Sequence, residues 1–159
     1  MIQLPEIKRK SRKPSYRKPE AVKELERLSM VEARELHPTL DPRFIAPRTF
    51  RDDTANSLTD CIVKYITLCG GFASRISNQG TYIQKLGKYI PSTSRKGLAD
   101  VMATFRGLSL HIEVKAGKDV QSDEQKKIES EVRQAGGYYF LAKDFESFYK
   151  WLNAFENEQ

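Results

Sequence analysis

The chain is poor in the residue types that staple small folds or ligate soft metals. Its 159 residues include two cysteines, two histidines and one tryptophan. Cys61 and Cys69 stand eight positions apart, a spacing that is neither a C-x-x-C pair nor a disulfide framework. Both are expected to be reduced packing residues. No apolar run approaches the roughly 18 residues needed to cross a bilayer. The opening stretch MIQLPEIKRKSRKPSYRKPE lacks the apolar centre of about 7 to 15 residues that marks a secretory signal. The reading excludes a membrane protein and predicts a cytosolic one, with a length that fits one domain.

Acids are also missing locally. Residues 78–98 hold four Lys or Arg and no Asp or Glu, and residues 1–20 hold seven bases against two acids. From 119 onward the balance reverses, with nine acids against five bases. A net charge of +6 spread this unevenly is the footprint of a protein that meets a polyanion, nucleic acid above all.

What is present reads as follows. Residues 1–19, with three prolines and little apolar material, form a basic flexible arm. Residues 20–53 hold an amphipathic helix over 20–36 and a connector with Pro38, Pro42 and Pro47. The core occupies 54–159. Leu58, Cys61, Ile62, Tyr65, Ile66 and Cys69 define a helix ending at Gly70-Gly71, and "FASRIS" (72–77) follows as a strand. The basic segment after it, with Tyr82 and Tyr89 among its lysines, reads as a loop or small ribbon. "ADVMATF" and "LSLHIEVKA" are two strands turning at Arg106-Gly107. SDEQKKIESEVRQAGG is a helix with Ser122 at its cap, Gln125 at its third position and Gly136-Gly137 at its end. "YYFLA" (138–142) is a buried strand. Asp144 caps a last helix with an apolar face of Phe145, Phe148, Trp151, Leu152 and Phe155. The predicted class is α/β (α+β): an αβββαβ core, a mixed central sheet flanked by helices, with an N-terminal and a C-terminal helix.

The chemistry gathers around "HIEVKAG" (111–117). Strand residues two apart share a face, so His111, Glu113 and Lys115 project together while Ile112 and Val114 face the core. A turn centred on Arg106-Gly107 pairs residues whose numbers sum to 213, which sets Asp100 opposite Glu113. Two carboxylates placed side by side repel, and a divalent hard cation such as Mg²⁺ removes the repulsion. Lys115 then borders the site, able to orient water and to offset charge on a phosphate. A cross-strand salt bridge on a solvated face would explain Glu113 and Lys115 without a metal.

"GLAD" at 97–100, "IEVKAG" at 112–117 and "QSDEQKKIESEVRQAGGYYFLA" at 121–142 together resemble the VRR-NUC family of the PD-(D/E)XK nuclease superfamily, over about Thr54 to Trp151. The resemblance implies a restriction-endonuclease-like core and Mg²⁺- or Mn²⁺-dependent hydrolysis of branched DNA, such as Holliday junctions or flaps. It also implies a homodimer of the stand-alone type found in phages and bacteria. It makes Asp100 and Glu113 metal ligands, adds the Val114 carbonyl as a third oxygen, gives Lys115 the attacking water and sets Gln125 near the active site. Gln125 has an equally good role as the third residue of the Ser122 capping box. One position departs: Asn56 stands where the family commonly carries a Glu, with Asp60 or Asp53 as substitutes.

Arg75, Asn78, Tyr82, Lys85, Lys88, Arg95 and Lys96 are the expected DNA-binding residues, through phosphates rather than base edges. His111 is read as peripheral and Trp151 as core. A DNA-binding or architectural protein with a weakened nuclease core is the alternative, suggested by Asn56. A small-ligand or protein-interaction module is a third reading.

Overall fold

The computed structural model describes residues 16–77, 80–90 and 94–155. Four α-helices are present among them: α1 Glu20–Leu36, α2 Ala55–Leu68, α3 Asp123–Gln134 and α4 Phe145–Ala154. The strands are β1 Phe72–Arg75, β2 Thr81–Ile83, β3 Lys88–Ile90, β4 Val101–Phe105, β5 Leu108–Val114 and β6 Tyr138–Ala142. The central sheet runs β1-β4-β5-β6, with antiparallel pairing except between β5 and β6, which are parallel and joined through α3. β2 and β3 make a separate antiparallel ribbon. No helix among the described residues is long and apolar enough to cross a membrane.

The helices start where side chains can satisfy their first amide groups. Thr54 caps α2 by accepting from Ser57 N–H, Asp144 caps α4 from Ser147 N–H, and Ser122 caps α3 from Gln125 N–H. The β4–β5 hairpin turns through Arg106 (φ 50°) and Gly107 (φ 79°), the two positive values that a tight hairpin of this kind needs. Its register is the expected one, with Phe105 opposite Leu108 and Val101 opposite Ile112.

The sheet is covered on both faces. On one side Val101, Ala103, Phe105, Leu110, Ile112, Val114 and Ala142 join a core with α1, α2 and α4, through Val22, Leu25, Leu58, Ile62, Ile66, Phe145, Phe148 and Leu152. On the other, α3 lays Ile128 and Val132 over Tyr139, Leu141, Leu98 and Ala99. Truncating a large side chain in the first core, Phe148 for instance, costs about 3 to 5 kcal/mol by the usual cavity cost. Trp151 stacks on Phe140 at 4.6 Å between ring centroids, at the margin of that core. Cys61 and Cys69 are not joined in a disulfide.

Three expectations need correction. The strand over 72–77 is shorter, Phe72–Arg75, and beyond it the pairing goes on only as one bond in the same register, from Ile76 N–H to the Asp100 carbonyl (2.8 Å). The end of the expected flexible arm is held rather than free. Tyr16 Oη donates to Asp52 Oδ1 (2.8 Å), the Arg51 guanidinium lies 4.4 Å from the centroid of the Tyr16 ring, and Lys18 pairs with Glu26. The rest of that arm, residues 1–15, lies outside the described residues. Finally, the alternative of a salt bridge on a solvated face does not hold, because Glu113 and Lys115 are buried and the Gln125 side chain of α3 reaches Glu113.

Candidate functional site

Asp100 is the residue just before β4, and the ladder begins one step later at Val101. Instead of extending the ladder, its Oδ2 accepts the Val114 N–H at 2.8 Å. Asp100 thus closes the end of the hairpin with its side chain and comes to the same face as Glu113. The Val114 carbonyl leaves β5 along the edge that its N–H uses, since both groups of a strand residue point to one neighbour.

Glu113 and Lys115 are 2% and 7% exposed. A buried charge is costly unless paired, and here each has partners. Lys115 Nζ lies 3.0 Å from Glu113 Oε1 and 3.4 Å from Asp119 Oδ2. Gln125 Nε2 also donates to Glu113 Oε1. The other oxygen, Glu113 Oε2, is buried with no hydrogen-bond partner. Burial first, then the nearby Asp100 charge, raise the Glu113 carboxyl above the usual glutamate range, against the opposing pull of Lys115. For Lys115 burial works against the charged form, but the hydrogen bond and charge of Glu113, with Asp119, outweigh it and hold the ammonium above its ordinary value.

Gln125 joins two roles that the sequence presents as alternatives. Its backbone N–H donates to Ser122 Oγ and its Oε1 accepts the Ser122 N–H (2.9 Å), a complete capping box. Its remaining amide hydrogens are what reach Glu113. The helix cap therefore fixes the orientation of the amide that holds the buried carboxylate. Gly97 brings the two parts together. It has φ +83°, and a Cβ there would lie 2.7 Å from the backbone carbonyl of Glu124 and 3.0 Å from Gln125 N. Only glycine allows the GLAD loop to pass this close to the first turn of α3.

A cleft of about 670 Å³ opens in front of these groups, lined by Asn56, Arg75, Ile76, Ser77, Gly97, Leu98, Asp100 and Gln125. Asp100 and Gln125 face the cleft, and Glu113 lies one hydrogen bond deeper. Asn56, in the first turn of α2, accepts a hydrogen bond from Arg75 Nη2 across the cleft wall. Asp60 is not part of it; it lines a separate depression with Thr49, Phe50, Arg51 and Ser57. Asp53 is paired with Arg51.

The expected DNA-binding residues are dispersed. Arg75 lies in the cleft. Tyr82 and Tyr89 stand opposite each other on the β2–β3 ribbon, 60% and 61% exposed, with Lys85 and Lys88 exposed beside them. Lys96 is exposed. Arg95 points elsewhere, its guanidinium 2.6 Å from Glu131 on α3, at a pocket that also includes His111. Asn78 lies outside the described residues. Two contributors were missed by the sequence reading. Asp119 follows Lys115 by four positions, a spacing visible in the chain, and Gly97 opens the GLAD motif itself.

No protein-family model, no curated protein and no solved structure matches this chain. The candidate site therefore stands on its own geometry.

Among the described residues there is no group of three or more His, Cys, Asp or Glu side chains that could hold a metal ion. Asp100 and Glu113 make a pair instead. Each has one oxygen engaged within the protein, while Glu113 Oε2 has no partner and Asp100 Oδ1 has none among the described residues. Hard oxygen donors in this number suit Mg²⁺, which takes one or two carboxylates and fills its shell with water and phosphate oxygens.

Proposed function

We propose that this chain is a metal-dependent DNA endonuclease with a restriction-endonuclease-like core, acting on branched DNA. The observation that carries the reading is the buried Glu113 with an unpartnered oxygen, set behind Asp100 and flanked by a cationic Lys115. A protein does not ordinarily bury a carboxylate with one oxygen unsatisfied, and a cation is the simplest missing partner. The order α2-β1-β4-β5-α3-β6 agrees with the core that the motifs suggest.

Asp100 and Glu113, with the Val114 carbonyl, would hold Mg²⁺ or Mn²⁺. When bound, the ion supplies Lewis acidity at the phosphate and a better nucleophile from water. Lys115, paired with Glu113 and Asp119, is placed to orient water and to offset negative charge on the phosphate. Gln125 keeps Glu113 oriented. The exposed lysines and tyrosines of the ribbon hold the DNA backbone and unpaired bases without reading base edges, which favours structure over sequence. Two symmetric cuts in a four-way junction call for two active sites, so the working unit is a homodimer in the cytoplasm of a bacterial or phage-infected cell.

The test is a panel of labelled duplex, nicked, flap and four-way DNAs in Mg²⁺, Mn²⁺ and EDTA, with Asp100→Asn, Glu113→Gln and Lys115→Met alongside the parent chain. Each substitution is expected to abolish cleavage and to leave DNA binding largely intact. Normal junction cutting by all three would show that the site lies elsewhere. Light scattering with and without junction reports the dimer. The second reading, a DNA-binding or architectural protein with a weakened nuclease core, draws on the neutral Asn56 engaged by Arg75. Salt-dependent binding with no cleavage in any divalent metal would favour it.

A further inference from the structure

Asn56 and Arg75 enter the sequence reading as unrelated positions, one a departure from a family pattern and the other a phosphate contact. Their pairing suggests a specific task. Arg75 ends β1, opposite Val101, and the next residue, Ile76, donates its N–H to the Asp100 carbonyl. The register sets the Arg75 side chain on the Val101 face, toward α2, so the arginine reaches the cleft around the end of the sheet, from the face opposite Asp100 and Glu113, on a backbone anchored to Asp100 itself. Its side chain is exposed in the cleft and forms no ion pair among the described residues. Asn56 Oδ1 takes one of its five N–H donors and, being neutral, leaves the positive charge of this cleft-lining residue intact. A carboxylate at 56 would orient the guanidinium equally well but would neutralise it. The first turn of α2, which bears Asn56, adds a partial positive charge of its own.

The cleft is thus bipolar, with carboxylates for a cation on one side and an oriented, uncompensated guanidinium on the other. Resting on the nuclease reading above, we infer that Arg75, oriented by Asn56, binds the scissile phosphate directly in place of a second metal ion, so that the chain works with one divalent cation and one arginine. In the hydrolysis, water adds its oxygen to phosphorus and gives up a proton. The P–O bond to the sugar breaks, its electron pair leaves on the sugar oxygen, and that oxygen takes a proton from solvent. Arg75 offsets the charge on the phosphoryl oxygens throughout, a task suited to its planar, bidentate fork. Arg75 is then a catalytic residue and Asn56 a positioning residue.

The experiment compares the full chain with Arg75→Ala, Arg75→Lys and the isosteric Asn56→Asp in three measurements. Four-way-junction binding is measured in EDTA against KCl concentration. Mn²⁺ stoichiometry with bound junction is counted by electron paramagnetic resonance. Single-turnover cleavage is measured in Mg²⁺. Loss of one phosphate contact should lower the slope of log K against log salt by about one for Arg75→Ala. Cleavage should fall by about 10² to 10³ for Arg75→Ala, as for other electrostatic donors, and Arg75→Lys should recover only part. Mn²⁺ should count one per chain throughout. Asn56→Asp should mimic Arg75→Ala in both slope and rate, because the new carboxylate neutralises the guanidinium without changing shape. If Asn56→Asp instead raises cleavage and the Mn²⁺ count to two, or if Arg75→Ala leaves slope and rate unchanged, the inference is wrong. A parent chain that cuts no DNA removes the nuclease reading, while the metal-free salt slope still reports whether Arg75 touches phosphate.

Discussion

Gly97→Ala tests the joint between the GLAD loop and α3, and its magnitude can be worked from two contributions. A residue with a side chain at φ +83° costs about 1 to 2 kcal/mol relative to ordinary backbone. Alanine recovers about 0.4 to 1 kcal/mol through the unfolded chain, leaving roughly 1 kcal/mol or less from backbone alone. The second contribution is steric. The new Cβ would meet the Glu124 carbonyl at 2.7 Å, a backbone contact that cannot be relieved by a side-chain rotation. Overpacking of this sort costs about 1 to 3 kcal/mol, so the whole change is expected to be about 1 to 4 kcal/mol. Gly136 supplies the control. It has φ +82° with nothing within 4 Å of an added Cβ, and Gly136→Ala should show the backbone contribution alone. Urea unfolding separates the two: with a slope of ~2 kcal/mol/M, the Gly97→Ala midpoint should fall by roughly 0.5 to 2 M and that of Gly136→Ala by less, about 0.5 M at most. Because α3 must shift to admit the methyl, Gln125 should move off Glu113, and any cleavage should fall at least ~10-fold in Gly97→Ala only. Equal losses of stability in the two variants, within about 0.5 kcal/mol, would refute the packing argument.

Gln125→Ala removes one arm of the capping box and the amide that holds Glu113, and should cost about 1 to 2 kcal/mol in thermal or urea unfolding. Gln125→Glu keeps a capping-box acceptor but sets a second carboxylate against Glu113, so it should weaken cleavage as much as the alanine does, assayed on the same junction. Mg²⁺ at about 100 times its Kd should stabilise the chain by about 2.7 kcal/mol in differential scanning calorimetry, and Asp100→Asn should lose most of that gain. Burial pushes the Cys61 thiol up from 9.0 to about 12. A raised folded pKa in an acid contributes stability below the unfolded value that is lost as pH rises through the folded one. Stability should therefore decline between about pH 9 and 12, and Cys61→Ala should flatten part of that decline; in native protein at pH 8, a thiol reagent should label Cys69 well before Cys61.

Much of this fold is local in origin, and that part was legible in the chain. The 20–36 helix and its neighbours follow from 3.6-residue periodicity with Thr54, Ser122 and Asp144 as caps, all decided within a few residues of backbone. The hairpin register follows from the Arg106-Gly107 turn, so the approach of Asp100 to Glu113 could be derived from arithmetic on residue numbers. What the local pattern could not contain was burial. Glu113 and Lys115 alternate with apolar residues in the manner of a half-solvated strand, and they are covered only because β6 pairs in parallel with β5 and α3 has to cross the sheet between them. The Arg95–Glu131 and Arg75–Asn56 pairs are of the same kind, joining residues 36 and 19 positions apart through the packing of a helix on a sheet. Short-range sterics and capping determined the elements and the face on which each charge stands; tertiary packing alone decided which of those charges would be neutralised, which would be buried, and which would be left turned to the cleft.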